Sequence, residues 1–130
     1  MRKKQRVDAI VVERSDQELE ALLSLYLVRE DEAFEAVSAM SAYDPQQCWR
    51  FLEIARRADL SDLQLALLSA GPFEEMMKRH GGDFIARVEE AAYADPKMRV
   101  LIAGLWRAGM SGELWDRIVA LRTRLGLAPI

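Results

Sequence analysis

Glu74, Glu75, His80 and Asp83 fall within ten residues of one another, and His80 is the only histidine in the chain. Carboxylates beside an imidazole are what general acid–base catalysis or a weak metal site would use, because an unperturbed imidazole titrates near neutral pH. Their spacing argues against convergence. Neighbouring positions on a helix point about 100° apart, so Glu74 and Glu75 do not easily address one atom. The two glutamates also suit the first turn of a helix and His80 its end, where each complements the helix dipole. A structural role is the expectation, and the four residues stand as the alternative polar site of a small-ligand binder or enzyme.

Other catalytic patterns are missing. Gly109-Met110-Ser111-Gly112 lacks the Gly-x-Ser-x-Gly spacing of a nucleophile elbow and follows no strand, so Ser111 reads as a helix cap. There is no phosphate loop, no dinucleotide glycine fingerprint and no pair of histidines at metal spacing. Cys48 is the only cysteine, which rules out an intramolecular disulfide and a Cys-rich zinc site. No cofactor and no metal are expected. Trp49, Trp106 and Trp115 sit at helical spacings and are expected in the core, with exposure of any one marking it as an interface residue.

These residues must be carried by helices. Ser15-Asp16-Gln17-Glu18 is a capping box, and Leu19, Leu22, Leu23, Tyr26 and Leu27 follow at helical spacing. Arg29 to Glu32 interrupts the stripe, and Phe34, Val37 and Met40 begin another. Asp44-Pro45 and Asp95-Pro96 are start signals, since aspartate caps free N–H groups and proline at the first position loses no hydrogen bond. From Pro45 the inward residues should be Cys48, Trp49, Leu52, Ala55 and Ile54. Ser61-Asp62 opens a short helix that Gly71-Pro72 should stop, with Gly71 left-handed. A helix over Phe73 to Arg79 should end at His80-Gly81-Gly82, and Asp83 should cap the next. The helix from Pro96 should bury Val100, Leu101, Leu105 and Trp106 and end at Gly109. Ser111 opens the last helix and Gly126 stops it.

The expectation is an all-α bundle of seven or eight short helices in successive hairpins, a geometry compatible with solenoid-like stacking. Helix should cover more than about 60% of the residues. The shared pattern from Asp44 and from Asp95 suggests a repeat of about 50 residues, although the side chains match poorly. Residues 1–14 read as an N-terminal arm and residues 15–130 as a single helical domain. Within the arm, Val7 to Val12 is the one β-branched run, packed on the helices or paired with another molecule.

Composition is that of a packed protein, with 51% hydrophobic and 30% charged residues. No apolar run approaches the roughly 18 to 20 residues of a membrane span, and the basic start has too short an apolar follow-on for an export signal. A cytoplasmic location is expected. Net charge is −3, distributed as 6 Lys/Arg against 9 Asp/Glu over residues 1–43 and 6 against 3 over residues 95–130. That basic excess is too thin for a phosphate-backbone footprint, so nucleic acid is not favoured.

From about Ala70 onward the chain resembles a family of small bacterial proteins grouped only as a domain of unknown function. The resemblance rests on Ala70 to Glu74, His80-Gly81, Phe84-Ile85, Asp95-Pro96, and Trp106 with Trp115, in that order, and covers roughly residues 44–125. Phe73 replaces the commoner Leu, which alters packing alone. The resemblance implies a bacterial or phage-related cytoplasmic protein and no activity.

With no catalytic constellation, the expected function is a non-enzymatic protein-binding module of immunity, inhibitor or adaptor type. Its partner is another protein, and self-association stays open. The expected docking site is Arg29, Glu30, Asp31, Glu32 and Glu35, because four carboxylates crowd around a single cation.

Overall fold

Ser15 opens the first helix as its sequence demands. Its Oγ accepts from the Glu18 N–H at 3.2 Å while Glu18 Oε1 accepts from the Ser15 N–H at 2.9 Å. The computed structural model describes residues 12–127. Among them the elements are α1 (Asp16–Leu27), α2 (Asp31–Tyr43), α3 (Pro45–Arg57), α4 (Asp62–Leu68), a π-helical turn (Ser69–Phe73), α5 (Glu74–Ala94), α6 (Pro96–Ala103) and α7 (Gly112–Leu125). Helix covers about 80% of the described residues, which contain no strand, so the fold is all-α. Residues 1–11 of the arm, and with them most of the Val7 to Val12 run, lie outside the described residues. The contacts divide the chain into two compact units between Leu60 and Ser61.

The first unit packs α1, α2 and α3 each against the other two. Its interior is Leu19, Met40, Phe51 and Leu52, all fully buried. Asp44 serves two helices at once. Its N–H closes α2 on the Met40 carbonyl at 2.8 Å, and its Oδ1 accepts from the Gln47 N–H at 3.2 Å to open α3. Gln47, buried, also donates to the Val12 carbonyl at 2.9 Å, and Arg50 bridges to Asp16 at 2.8 Å. The inward stripe of α2 is Ala33, Ala36, Val37 and Met40, so Phe34, expected inside, is turned out at 57% exposure. On α3 the buried aromatic is Phe51, while Trp49 is half-buried with the Arg56 guanidinium 5.5 Å above its ring.

The second unit departs from expectation at both glycine signals. Asp62 to Ala94 is one continuous helical run, so the described residues hold six such runs, not seven or eight. Pro72 has no N–H to give, and the chain absorbs the gap by widening to a π turn that buries Pro72 and Phe73. Gly71 is not left-handed; among the described residues the one glycine with positive φ is Gly126, which ends α7 at φ 70°. His80-Gly81-Gly82 does not end a helix either, and Asp83 caps nothing. Gly81 is buried where the Leu114 side chain crosses, a Cβ there falling inside contact with Leu114 Cδ2 and at 3.3 Å from Cδ1. The glycine thus permits a close helix approach that its sequence signal disguised as a stop.

Ser69 ties the π turn to the end of α6 by donating its Oγ–H to the Leu101 carbonyl in the buried interior. α6 stops at Ala103, short of the expected Gly109, and Gly104 to Ser111 form a loop. Leu105 keeps its expected burial, and Trp106 does not. Ser111 opens α7 by accepting from the Leu114 N–H at 3.2 Å.

Candidate functional site

The corner between α1 and α2 holds the five residues expected to dock a partner. α1 ends in a Schellman turn, with the Arg29 N–H donating to the Tyr26 carbonyl at 3.0 Å and the Glu30 N–H to the Leu25 carbonyl at 3.1 Å. The turn requires a left-handed residue, and Arg29 fills it at φ 63°, where glycine would pay no steric cost. Glu30 is then committed to structure. Its carboxylate caps α2, accepting from the Glu32 N–H at 3.1 Å and the Ala33 N–H at 2.8 Å.

Asp31, Glu32 and Glu35 remain exposed, and none forms an ion pair among the described residues. Asp31 and Glu32 lie in the first turn of α2, where their charge complements the helix dipole. The same corner exposes apolar surface. Val28 is 73% exposed, and Phe34 stacks nearly parallel on Tyr26, ring centroids 6.2 Å apart at 4°. Tyr26 in turn meets the buried Phe51 edge-on at 6.3 Å, so the exposed Phe34 ring rests on a column rooted in the core.

The alternative polar site does not assemble. Glu74, Glu75, His80 and Asp83 all lie on the continuous helix α5, where about 100° per residue spreads Glu74 and Asp83 to opposite sides. Glu75 is tied to Arg79 and, at 3.5 Å, to Lys78, and the Arg79 hydrogen bond first of all holds its carboxyl below the usual glutamate range. Glu74 Oε1 accepts from the Trp106 backbone N–H at 3.3 Å. Asp83 is exposed, and His80 is half-buried. Among the described residues no group of three His, Cys, Asp or Glu side chains could hold a metal ion.

Two features escaped the sequence. Phe34 opens the Phe34, Val37, Met40 spacing that suggests a core position, but the run Ala33, Ala36, Val37, Met40 fits the same period with smaller residues and wins. Trp106 would be a core residue only if α6 ran on to Gly109; α6 ends at Ala103 and Trp106 is 65% exposed, while Trp49 and Trp115 are half-buried. The signal was present, since Gly104 and Gly109 bracket Trp106 and glycines so placed favour a loop. Cys48 is fully buried, and burial pushes its thiol far above the usual range, leaving it no nucleophile.

The model of a family described as "Family of unknown function (DUF6869)" matches residues 28–126. No curated protein and no solved structure matches the chain. Among the described residues no helix is long and apolar enough to cross a membrane.

Proposed function

We propose that this chain, which belongs to that family of unknown function, is a non-enzymatic protein-binding module of the immunity, inhibitor or adaptor type, acting in a bacterial or phage cytoplasm. Its docking surface is the α1–α2 corner, and its partner presents a basic face around an apolar pocket. The observation that carries this reading is the exposed Phe34, stacked on Tyr26 in a corner that also carries Asp31, Glu32 and Glu35, none of which forms an ion pair among the described residues. A rigid aromatic is the kind of side chain that supplies affinity in an interface, and surrounding charge of one sign steers the encounter. Arg29 adds support: holding an arginine in a left-handed turn costs roughly 1 kcal/mol or more against glycine, and such strain concentrates at functional surfaces.

The enzyme alternative asks Glu74, Glu75, His80 and Asp83 to act together, and their directions on α5 oppose that. The two readings separate in one experiment. Glu32→Lys with Glu35→Lys should slow association by about tenfold at low salt, with the dissociation rate little changed. Phe34→Ala should do the reverse, raising the dissociation rate. Glu74→Gln and His80→Ala should leave the complex intact and the phenotype normal; a dead His80→Ala variant beside normal binding by the charge-reversed protein would overturn the proposal.

A further inference from the structure

The loop between α6 and α7 presents a second surface, in the other unit, with the opposite charge. Trp106, Trp115, Val119 and Leu127 line a groove of about 730 Å³, and its charged lining is Arg107 and Arg122 with no carboxylate. Trp106 is exposed, yet its backbone is pinned from two sides. Its N–H donates to Glu74 Oε1 at 3.3 Å, and the residue before it is held by the Arg122 guanidinium, which donates to the Leu105 carbonyl at 3.4 Å and to the Ala103 carbonyl. An aromatic ring left in water on an anchored loop is preorganised for a partner, because little ordering remains to be done on binding.

The charge says what that partner carries. Arg122 is 5% exposed, its hydrogen bonds go to neutral carbonyls, and its Nε makes none among the described residues. Arg107 is exposed and bonds to the Met110 carbonyl at 3.4 Å. Neither guanidinium has an ion-pair partner among the described residues, so the groove offers the exposed Arg107, with the buried Arg122 charge behind it, beside two indoles. The other basic recess, around Lys78, Arg79 and Arg117, differs in kind, because Glu75 and Glu89 already hold those cations.

We propose that the Trp106–Trp115 groove binds a segment of a partner protein in which an aromatic or aliphatic side chain is flanked by carboxylates. The apolar side chain lies between the indoles, and a carboxylate pairs with the exposed Arg107, whose planar guanidinium suits charge-assisted bonding, while the Arg122 charge behind it favours the same sign.

The test is selection of a random displayed peptide library on the full-length protein, with counter-selection on Trp106→Ala. Surviving peptides should pair an apolar residue with neighbouring Asp or Glu. Their synthetic copies should bind about tenfold more weakly to Trp106→Ala and to Arg107→Glu, the loss expected of an interface anchor. In nitrogen-15 NMR the indole signals of Trp106 and Trp115 should move while that of Trp49 stays. Glu32→Lys with Glu35→Lys should leave peptide affinity unchanged, so failure here is distinct from failure at the α1–α2 corner. Far-UV circular dichroism confirms that each variant is folded. Lysine- or arginine-rich peptides, no peptide that depends on Trp106, or affinity indifferent to Arg107→Glu overturns the proposal. Self-association of the protein alone that Trp106→Ala abolishes would give the groove to a second copy and overturn it as well.

Discussion

Replacing Gly81 and Gly82 with alanine, one at a time, should shift stability in opposite directions. Both glycines lie inside α5, and alanine in a helix interior is favoured over glycine by about 1 kcal/mol. At Gly82 a new Cβ meets nothing within 4 Å, so the whole gain should appear. At Gly81 the Cβ lands inside contact with Leu114 Cδ2, and overpacking of that kind costs about 1 to 3 kcal/mol. The net at Gly81 should therefore be a loss of about 1 kcal/mol, some 2 kcal/mol below Gly82→Ala. A third variant isolates the cause, since in a Leu114→Ala background the obstruction is gone and Gly81→Ala should become stabilising by about 1 kcal/mol. Urea unfolding followed by circular dichroism reads all of these, each kcal/mol moving the midpoint by roughly 0.5 M. The refuting result is a destabilising Gly82→Ala. Alanine loses stability there only if Gly82 is left-handed, which is the helix stop that the His80-Gly81-Gly82 sequence advertises.

Arg29→Gly should stabilise the first unit by up to about 1 kcal/mol, because glycine's greater unfolded-state entropy offsets part of the relieved left-handed strain, and an unchanged urea midpoint would deny the strain. Trp106→Ala should change stability by less than about 0.5 kcal/mol as a surface substitution, while Phe73→Ala, fully buried, should cost about 3 to 5 kcal/mol in the same assay. The Arg117 hydrogen bond, aided by Arg124, holds the Glu89 carboxyl below its ordinary value of 4.5. A depressed folded-state value means that the pair stabilises above the unfolded value and loses that contribution as pH falls through the folded one. Wild type should exceed Glu89→Gln in thermal stability at pH 7, and the gap should shrink as pH falls below 4.5 and through the lowered folded-state value; a gap independent of pH would assign the effect to packing.

Signals that act within a few residues of the chain were legible. Ser15, Asp44, Ser61, Asp95 and Ser111 each cap the helix that follows, because a cap depends on a side chain and a backbone N–H two or three positions on. Signals whose meaning depends on a distant neighbour were not. Gly81 looks like a terminator until Leu114 is seen crossing it, and Gly71-Pro72 looks like a break until the π turn carries the helix past. The facing of α2 failed for a related reason. Periodicity gives the spacing of a buried stripe but not its phase, and small Ala33 and Ala36 let helices approach where Phe34 would hold them apart. At the candidate site, the acidic run was visible in sequence, whereas the exposure of Phe34 beside it and the left-handed turn at Arg29 needed the fold.

The proposal that the α1–α2 corner is a docking surface is tested most directly by placing a photo-crosslinking amino acid at Phe34 in the protein expressed in its own host. The partner adduct should be a protein with a basic contact face, should be absent when the same probe replaces the exposed Tyr93, and should fall sharply when Glu32→Lys and Glu35→Lys are added. No adduct from position 34, or an adduct of equal yield in the charge-reversed protein, would contradict the account.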